Sequence, residues 1–244
     1  MNKNIKGFVA FLADYYKFRK LAKKNNIKIT GFNPILKDRY SNAGEIDAHY
    51  FIQDINMAKK VIASNTDKHY DIGSRIDGFI SHLLSSNRMT VTMLDIRPLP
   101  VKIDNLDFIQ TDATSLSEIA DNSISSISSL HAIEHFGLGR YGDSVDPMAC
   151  YKAMKSIQRV LAKEGFLYFS VPIAQNDEVW FNGQRKFSPI TIINTFNELE
   201  LIEFSILSNY KVTVYDRAKV LDMLKNKEIH IGNFDCGMFI FKKS

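Results

Sequence analysis

The chain has 244 residues, of which 45% are hydrophobic and 24% are charged. This length and composition suit one α/β domain with additions rather than two domains. Its two cysteines, Cys150 and Cys236, are too few for a disulfide framework, so we expect a reducing, cytoplasmic setting. No signal peptide is evident, and no apolar run reaches the ~18 residues that a membrane-spanning helix needs.

Most of the positive charge lies in residues 1–28. Eight basic residues against one acidic residue give +7 there, which leaves −3 of the net +4 for the rest of the chain. Because nucleic-acid channels need clustered positive charge, this mildly acidic body argues against nucleic-acid binding. Apolar residues at near-helical spacing predict an amphipathic basic helix with the members Ile5, Phe8, Val9, Leu12, Tyr15, Tyr16 and Phe18.

Two interpretations of residues 1–28 stay open. A basic amphipathic helix can lie on an anionic membrane surface, which predicts peripheral contact with the inner membrane. Alternatively the helix is solvated and packs on its own domain or on a second copy of the chain, as in a homodimer. In either case we expect a basic helical extension over residues 1–49 and one globular domain over 50–244.

Helical and strand patterns alternate after residue 50, as in a parallel sheet with helices on both faces. The predicted helices cover residues 51–62, 78–85, 148–163 and 188–199. The predicted strands cover residues 70–72, 91–96, 106–111, 124–130, 166–171, 201–207 and 237–241. The helix over 51–62 is expected to cap the pocket, and the segment 208–234 stays unassigned.

Two acidic residues mark a nucleoside-binding crevice. Asp71 and Asp95 lie 24 positions apart at the ends of two apolar runs. Gly73 allows a tight turn after the first run, and Asp95 is placed to accept hydrogen bonds from both hydroxyls of a ribose. The turn lacks a dinucleotide fingerprint and a Walker lysine. Asp71 instead suits a cationic ligand such as S-adenosylmethionine, which carries an amino group and a sulfonium.

The turn at residues 71–78 resembles the first motif of class I methyltransferases, although Arg75 and Asp77 stand where that family usually has glycine. The resemblance implies a Rossmann-like, seven-stranded, mostly parallel sheet whose last strand is antiparallel, with helices on both faces. It also implies S-adenosyl-L-methionine as the cofactor. The cofactor contacts that it implies come from Asp71, Gly73, Ser74, Arg75, Asp95, Ile96, Arg97, Asp112, Ala113, Leu130 and His131.

A second informative segment, residues 129–143, reads SLHAIEHFGLGRYGD. Together with DIGSRIDGF, LDIRPL, YFSVP and FNGQR, it resembles a bacterial family of uncharacterised methyltransferase-like proteins associated with surface polysaccharide biosynthesis. Methyl transfer to a sugar hydroxyl needs a proton acceptor, for which His135 and His131 are the candidates. Alternatively, Glu134 and His135 only brace the loop, and His131 lines the cofactor site.

Several polar residues of this rim are candidates for substrate binding: Arg140, Tyr141, Asp143, Asn182 and Arg185. An arginine fork suits a phosphate or carboxylate on a nucleotide sugar or a glycan acid. Alternatively Arg140 pairs with Asp143, and Asn182 stabilises a turn. No metal site is predicted, since the remaining histidines lack ligand spacing; they are His49, His69, His82 and His230.

These patterns favour an S-adenosylmethionine-dependent methyltransferase that acts on a hydroxyl of a small-molecule or glycan precursor. Two other hypotheses remain. The first is a catalytically silent methyltransferase-like subunit, which would pair with a glycan-biosynthesis enzyme or an active paralogue in a heterodimer. The second is an enzyme that binds a nucleotide sugar in the same crevice.

Overall fold

A computed structural model describes residues 3–36 and 48–244. The chain divides into two compact units, Met1–Asp47 and Ala48–Ser244. In the first unit, helix α1 spans Lys3–Lys24, which confirms the predicted helix. The ring of Phe32 lies 6.5 Å from that of Phe11 and 4.9 Å from that of Tyr15. Within the described ranges, no helix combines the length and the apolar character needed to cross a bilayer.

The second unit is built on an α/β sheet. Its helices are α2 (Ala48–Ala63), α3 (Ser81–Leu84), α4 (Ala149–Val160), α5 (Pro189–Thr195) and α6 (Val220–Lys225), with a π-helical turn at Ile76–Ile80 and a 3-10 turn at Ile133–His135. Its strands are β1 (Lys68–Ile72), β2 (Thr90–Asp95), β3 (Leu106–Gln110), β4 (Ile124–Leu130), β5 (Leu161–Pro172), β6 (Glu178–Trp180), β7 (Gln184–Lys186), β8 (Leu199–Ser208), β9 (Lys211–Tyr215) and β10 (Cys236–Lys243).

The main sheet has the order β3-β2-β1-β4-β5-β10-β8-β9. Strands β1 to β5 are parallel, and β10 runs antiparallel between β5 and β8. This confirms the predicted mostly parallel fold with an antiparallel final strand. In the described part of the chain the sheet has eight strands rather than seven, because β9 pairs with β8 as a hairpin. β9 lies in the segment that the sequence left unassigned.

Two predicted helices end earlier than expected. Helix α4 stops at Val160, not at 163, because Leu161 is extended, with φ −66° and ψ 127°, and begins β5 at once. Helix α5 stops at Thr195, not at 199. There Phe196 leaves the helical conformation and is fully buried, 5.0 Å from the ring of Phe169. Burial of one aromatic ring outweighs the continuation of a short helix.

Both faces of the sheet are covered by apolar side chains. Alternation along β10 sends Phe239 to the core on the α4 and α5 side and Met238 to the core on the α2 and α3 side. Successive strand residues point to opposite faces, so each strand contributes to both cores. Buried polar side chains within the strands pair with one another, as His69 of β1 does with Ser126 and Ser128 of β4 at 2.7 and 2.9 Å. The carboxyl ends of β1, β2 and β4 meet at one edge, which is where the candidate site lies.

Candidate functional site

A cavity of about 220 Å³ lies at the carboxyl ends of β1 to β4. Its apolar wall is formed by residues such as Ile72, Leu94 and Ala113, and its polar groups come from the strand ends and from the loop after β4. The predicted site residues that line it are Gly73, Asp95, Ile96, Arg97, Asp112, Ala113, His131, His135, Tyr141 and Asp143. Four strand ends therefore contribute to one concave surface.

Asp71 holds the turn that borders this cavity. Its carboxylate accepts hydrogen bonds from the backbone N and the Oγ of Ser74, at 2.9 and 2.8 Å, and from Ser128 Oγ at 2.5 Å. Burial raises the pKa of Asp71 to about 6, although these hydrogen bonds oppose the shift. Gly73 has φ 72°, and a Cβ there would meet the Ala132 Cβ at 3.1 Å. Asp71 and Ser74 shape the turn and do not themselves line the cavity, and neither does Leu130, which is buried in the core.

Asp95 faces the cavity together with Arg97. Arg97 donates from Nε to Asp95 Oδ1 at 3.0 Å and from Nη2 to Oδ2 at 2.7 Å. The guanidinium also lies 4.7 Å from the ring centre of Tyr141. Residues 95–97 and the loop that carries Tyr141 are therefore linked across the cavity. The Asp95 carboxylate retains lone pairs for a further donor, since an ionised carboxyl group accepts about four hydrogen bonds.

Arg75 points away from the cavity. Its guanidinium donates to both carboxylate oxygens of Asp77 at 3.0 and 2.7 Å, and both side chains are about two-thirds exposed, at 68% and 70%. The two residues that replace glycine in the first motif thus pair with each other in solvent. They do not fill the space that the turn encloses.

A buried carboxylate joins the two candidate histidines. Glu134 Oε1 lies 2.9 Å from His131 Nδ1 and 3.8 Å from His135 Nε2. Burial alone would lower the pKa of His131, but the neighbouring Cys236 and Glu134 oppose it, and the net direction is upward. His135 Nδ1 lies 2.8 Å from the carbonyl oxygen of Gly183. Arg140 Nη1 lies farther from this nitrogen, at 3.5 Å. Because a carbonyl only accepts, the shorter contact assigns the proton to Nδ1 and leaves Nε2 unprotonated.

The loop after β4 is held by its own side chains. Among the described contacts, Arg140 and Asp143 do not pair with each other. Asp143 accepts a hydrogen bond from the backbone N of Gly137 at 2.6 Å, and Arg140 donates one to the carbonyl oxygen of Gly183 at 3.1 Å. A Cβ on Gly137, which has φ 75°, would come within 1.9 Å of the Asp146 carbonyl oxygen. The loop therefore has one tightly determined path.

Arg185 braces this loop from beneath. It is 5% exposed and donates to the carbonyl oxygens of Phe136 at 2.6 Å and Pro147 at 3.3 Å. Asn182 lies at the tip of the β6–β7 hairpin with φ 62°, the conformation of a tight turn. Neither residue lines the cavity, nor does Arg140, among the described residues.

Some cavity residues carry no local sequence signal. Ser144 and Asp146 line it, but nothing in their spacing distinguishes them from ordinary surface residues. Thr111 also lines it and was missed, although it directly follows β3 and a search of strand ends would have found it. Ser144 and Asp146 enter only because the loop folds back around Gly137.

Comparison with known proteins agrees with this fold. A family model described as "Caenorhabditis protein of unknown function, DUF268" matches residues 98–230, more than half of the chain. No curated protein sequence matches. Among solved structures, the chain is similar to Burkholderia thailandensis 1,6-didemethyltoxoflavin-N1-methyltransferase with bound 1,6-didemethyltoxoflavin and S-adenosylhomocysteine, with 9% identity, a TM-score of 0.56 and coverage of 100% of this chain and 92% of that one.

Two further structures show how varied the neighbours are. The cyclase SpnF is 14% identical over 78% of this chain and 80% of that one, with a TM-score of 0.54. A chain in the Haloferax volcanii complex that contains the Trm112 methyltransferase activator is 13% identical over 80% of this chain and 89% of that one, with a TM-score of 0.56. At these identities the likeness shows a shared fold, and function must be argued from the site.

Proposed function

This chain belongs to the DUF268 family, and we propose that it is an S-adenosylmethionine-dependent methyltransferase. The observation that carries the proposal is the position of the Asp95 carboxylate. It ends β2 beside the Gly73 turn, at the edge where β1 and β4 also end, and it lines the cavity. In open α/β sheets this is where a nucleoside ligand binds.

The residues of the cavity suit the adenosine part of the cofactor. Leu94, Ile96 and Ala113 offer an apolar surface for a purine, and Asp95 offers a carboxylate for the ribose hydroxyls. Gly73 lines the cavity without a side chain, which would let the backbone there approach the cofactor closely. When bound, the cofactor would supply an electrophilic methyl group.

His135 is the better placed proton acceptor for a hydroxyl substrate. Its Nδ1–H is anchored on the Gly183 carbonyl, which leaves Nε2 as the base, and Glu134 lies 3.8 Å from that nitrogen. A buried carboxylate at this distance stabilises the imidazolium that forms when the base takes a proton. His131 also donates from Nδ1, to Glu134, but its Nε2 is buried, so its role as the base is the weaker alternative.

We propose a hydroxyl-bearing acceptor, such as a sugar of a bacterial surface-glycan precursor. Motif similarity along the chain supports this class, and the family name, which refers to Caenorhabditis proteins, does not bear on it. The cavity supports a neutral acceptor over a nucleotide sugar. Four aspartates and one arginine line it, a charge balance that disfavours a pyrophosphate; they are Asp95, Asp112, Asp143, Asp146 and Arg97.

A second candidate is a methyltransferase-like protein that binds the cofactor but transfers no methyl group. Its support is that the neighbouring structures include one named as a cyclase and one in complex with a methyltransferase activator. Under this second hypothesis the cavity binds the cofactor, and the protein either catalyses a different reaction or works together with a partner subunit.

Calorimetry with S-adenosylmethionine and S-adenosylhomocysteine tests the proposal. We expect both to bind the wild-type chain, and mass spectrometry to find one of them among the ligands that co-purify. Transfer of a labelled methyl group to a glycan-precursor extract should then occur with the wild type and fall at least about 100-fold in His135→Gln. Folded protein that binds neither compound would overturn the proposal. Binding without any transfer would favour the second candidate.

A further inference from the structure

Three side chains that are far apart in the sequence converge beside the cavity. His49 lies in the first turn of α2, His131 follows β4 and Cys236 begins β10. One possible ligand atom of each, a ring nitrogen or the Sγ, lies within 4.8 Å of the other two. Imidazole nitrogen and thiolate sulfur are donors that zinc prefers, and a set of two histidines and one cysteine contains no carboxylate that would favour calcium or magnesium.

The ring of His131 is oriented as a metal-bound histidine is. Its Nδ1 donates to Glu134 Oε1 at 2.9 Å, and the two side chains are only 7% and 0% exposed. Its Nε2 is buried and has no hydrogen-bond partner among the described residues. A carboxylate that holds one ring nitrogen fixes the tautomer and leaves the lone pair of the other nitrogen for a metal ion. A buried nitrogen without a partner otherwise costs free energy.

The surroundings keep this ring in place. His131 has φ 50°, a left-handed conformation that is unfavourable for a residue with a side chain, and its backbone N donates to the Ser170 carbonyl at 3.0 Å. The rings of His49 and Tyr50, at the start of α2, lie 5.9 and 5.3 Å from the His131 ring. Backbone strain of this kind persists only where the surrounding structure holds the residue in place, and such residues cluster at active and ligand-binding sites.

We propose that His49, His131 and Cys236 form a zinc site, with His131 bound through Nε2. Zinc bonds of 2.0–2.3 Å in a tetrahedron put ligand atoms roughly 3.3 to 3.6 Å apart. The donor atoms, which lie within 4.8 Å of one another, would therefore approach by at most about 1.5 Å on binding. Cys236, whose thiol now donates to Gln53 Oε1 at 3.4 Å, would lose that proton to solvent. The fourth position would be taken by water or by a ligand in the cavity, which His131 also lines.

Metal analysis of the full chain tests this site without any assay of methyl transfer. We expect the purified protein to hold zinc at a ratio near unity. After chelation and reconstitution with Co²⁺, the wild type should show a thiolate-to-cobalt charge-transfer band, which reports a cysteine ligand even if every variant fails to fold. A protein that retains no zinc and gives no such band with Co²⁺ would overturn the proposal.

Matched variants locate the ion. Cys236→Ser and His49→Gln should each lose bound zinc, whereas Cys150→Ser and His230→Gln should retain it. Cys150 is the other buried cysteine and lies in the first turn of α4, outside the cluster, and His230 is exposed. Glu134→Gln should weaken zinc binding about 10-fold to 100-fold. Equal zinc content in Cys236→Ser and Cys150→Ser, both folded by circular dichroism, would also overturn the site.

Discussion

The guanidinium of Arg97 binds both carboxylate oxygens of Asp95 and at the same time lies 4.7 Å from the centre of the Tyr141 ring. The residue proposed to bind the ribose is therefore in contact with an arginine that a ligand would have to share or displace. The Arg97 side chain is 53% exposed, so its pair with Asp95 contributes only about 0–1 kcal/mol. A ligand can therefore displace Arg97 from Asp95 at a small cost in free energy, and the pair does not block the cavity.

Because the pair itself contributes little, substitutions of Asp95 and of Arg97 should affect cofactor binding differently. Asp95→Asn removes the charge of the proposed acceptor for the ribose hydroxyls and should weaken S-adenosylhomocysteine binding about 10-fold to 100-fold. Arg97→Gln removes only the exposed pair and should change the dissociation constant by less than about fivefold. Calorimetry measures both. Equal losses in the two variants would contradict this expectation and show that Arg97 contributes to the ligand contact as much as Asp95.

Two glycines of the loop after β4 make a matched pair. Gly137 has φ 75° and Gly142 has φ 81°, but a Cβ at Gly137 would lie 1.9 Å from the Asp146 carbonyl oxygen, whereas one at Gly142 meets nothing within 4 Å. Gly142→Ala should cost about 1 kcal/mol of unfolding free energy, from the left-handed backbone alone. Gly137→Ala should cost at least about 3 kcal/mol, because the loop must move. Urea unfolding compares them, and similar costs would show that the loop relaxes freely.

Local signals in the sequence were enough to predict the sheet and part of the cavity. Strand β4 spans the predicted residues 124–130, and Gly73 and Asp95 line the cavity as expected. A glycine after an apolar run and an acid at the end of the next one are both local patterns. Since parallel strands bring their carboxyl ends to one edge, those patterns also fix where the residues meet.

Contacts between distant elements could not be read from the sequence. Arg185 was expected to face a substrate because it follows β5, yet the β6–β7 hairpin turns it inward onto the carbonyl oxygen of Phe136. No metal site is predicted from the spacing of His49, and His131 is predicted only as a base or a cofactor contact, but α2, the end of β4 and β10 bring both residues together with Cys236. In each case the partner lies about fifty residues or more away, beyond any spacing rule.

Substitution of Arg185 tests whether this residue supports the loop after β4 or binds substrate. Arg185→Met removes the donor from two partly buried contacts, with the carbonyl oxygens of Phe136 and Pro147, so unfolding free energy should fall by about 2–4 kcal/mol. Arg140→Met, which removes an exposed arginine, should cost less than about 1 kcal/mol. Thermal unfolding followed by circular dichroism compares the two. An Arg185→Met protein as stable as the wild type would return Arg185 to the candidate substrate contacts.

Substitution of Arg75 tests whether the cofactor site is open or is blocked by this side chain. Its side chain is 68% exposed and pairs with Asp77 in solvent, so Arg75→Ala should change the S-adenosylhomocysteine dissociation constant by less than about threefold. The methyltransferase motif has glycine at this position. If the Arg75 side chain blocked the site, Arg75→Ala would instead increase the affinity for S-adenosylhomocysteine strongly. A gain of about tenfold or more in calorimetry would show that Arg75 enters the site in solution.

Asp71 should give the protein a stability that depends on pH. Its folded pKa of about 6 lies above the ordinary 3.8 because the carboxyl group is fully buried. The folded state therefore holds this proton more tightly than the unfolded state, so the contribution of Asp71 is greatest below about pH 4 and is lost as the pH rises to about 6. The shift corresponds to about 3 kcal/mol. The difference in unfolding free energy between the wild type and Asp71→Asn should accordingly fall by that amount across the window, because the amide does not titrate. Urea unfolding at several pH values measures this difference, and a constant difference from pH 4 to 7 would show that Asp71 ionises in the folded protein as it does in the unfolded chain.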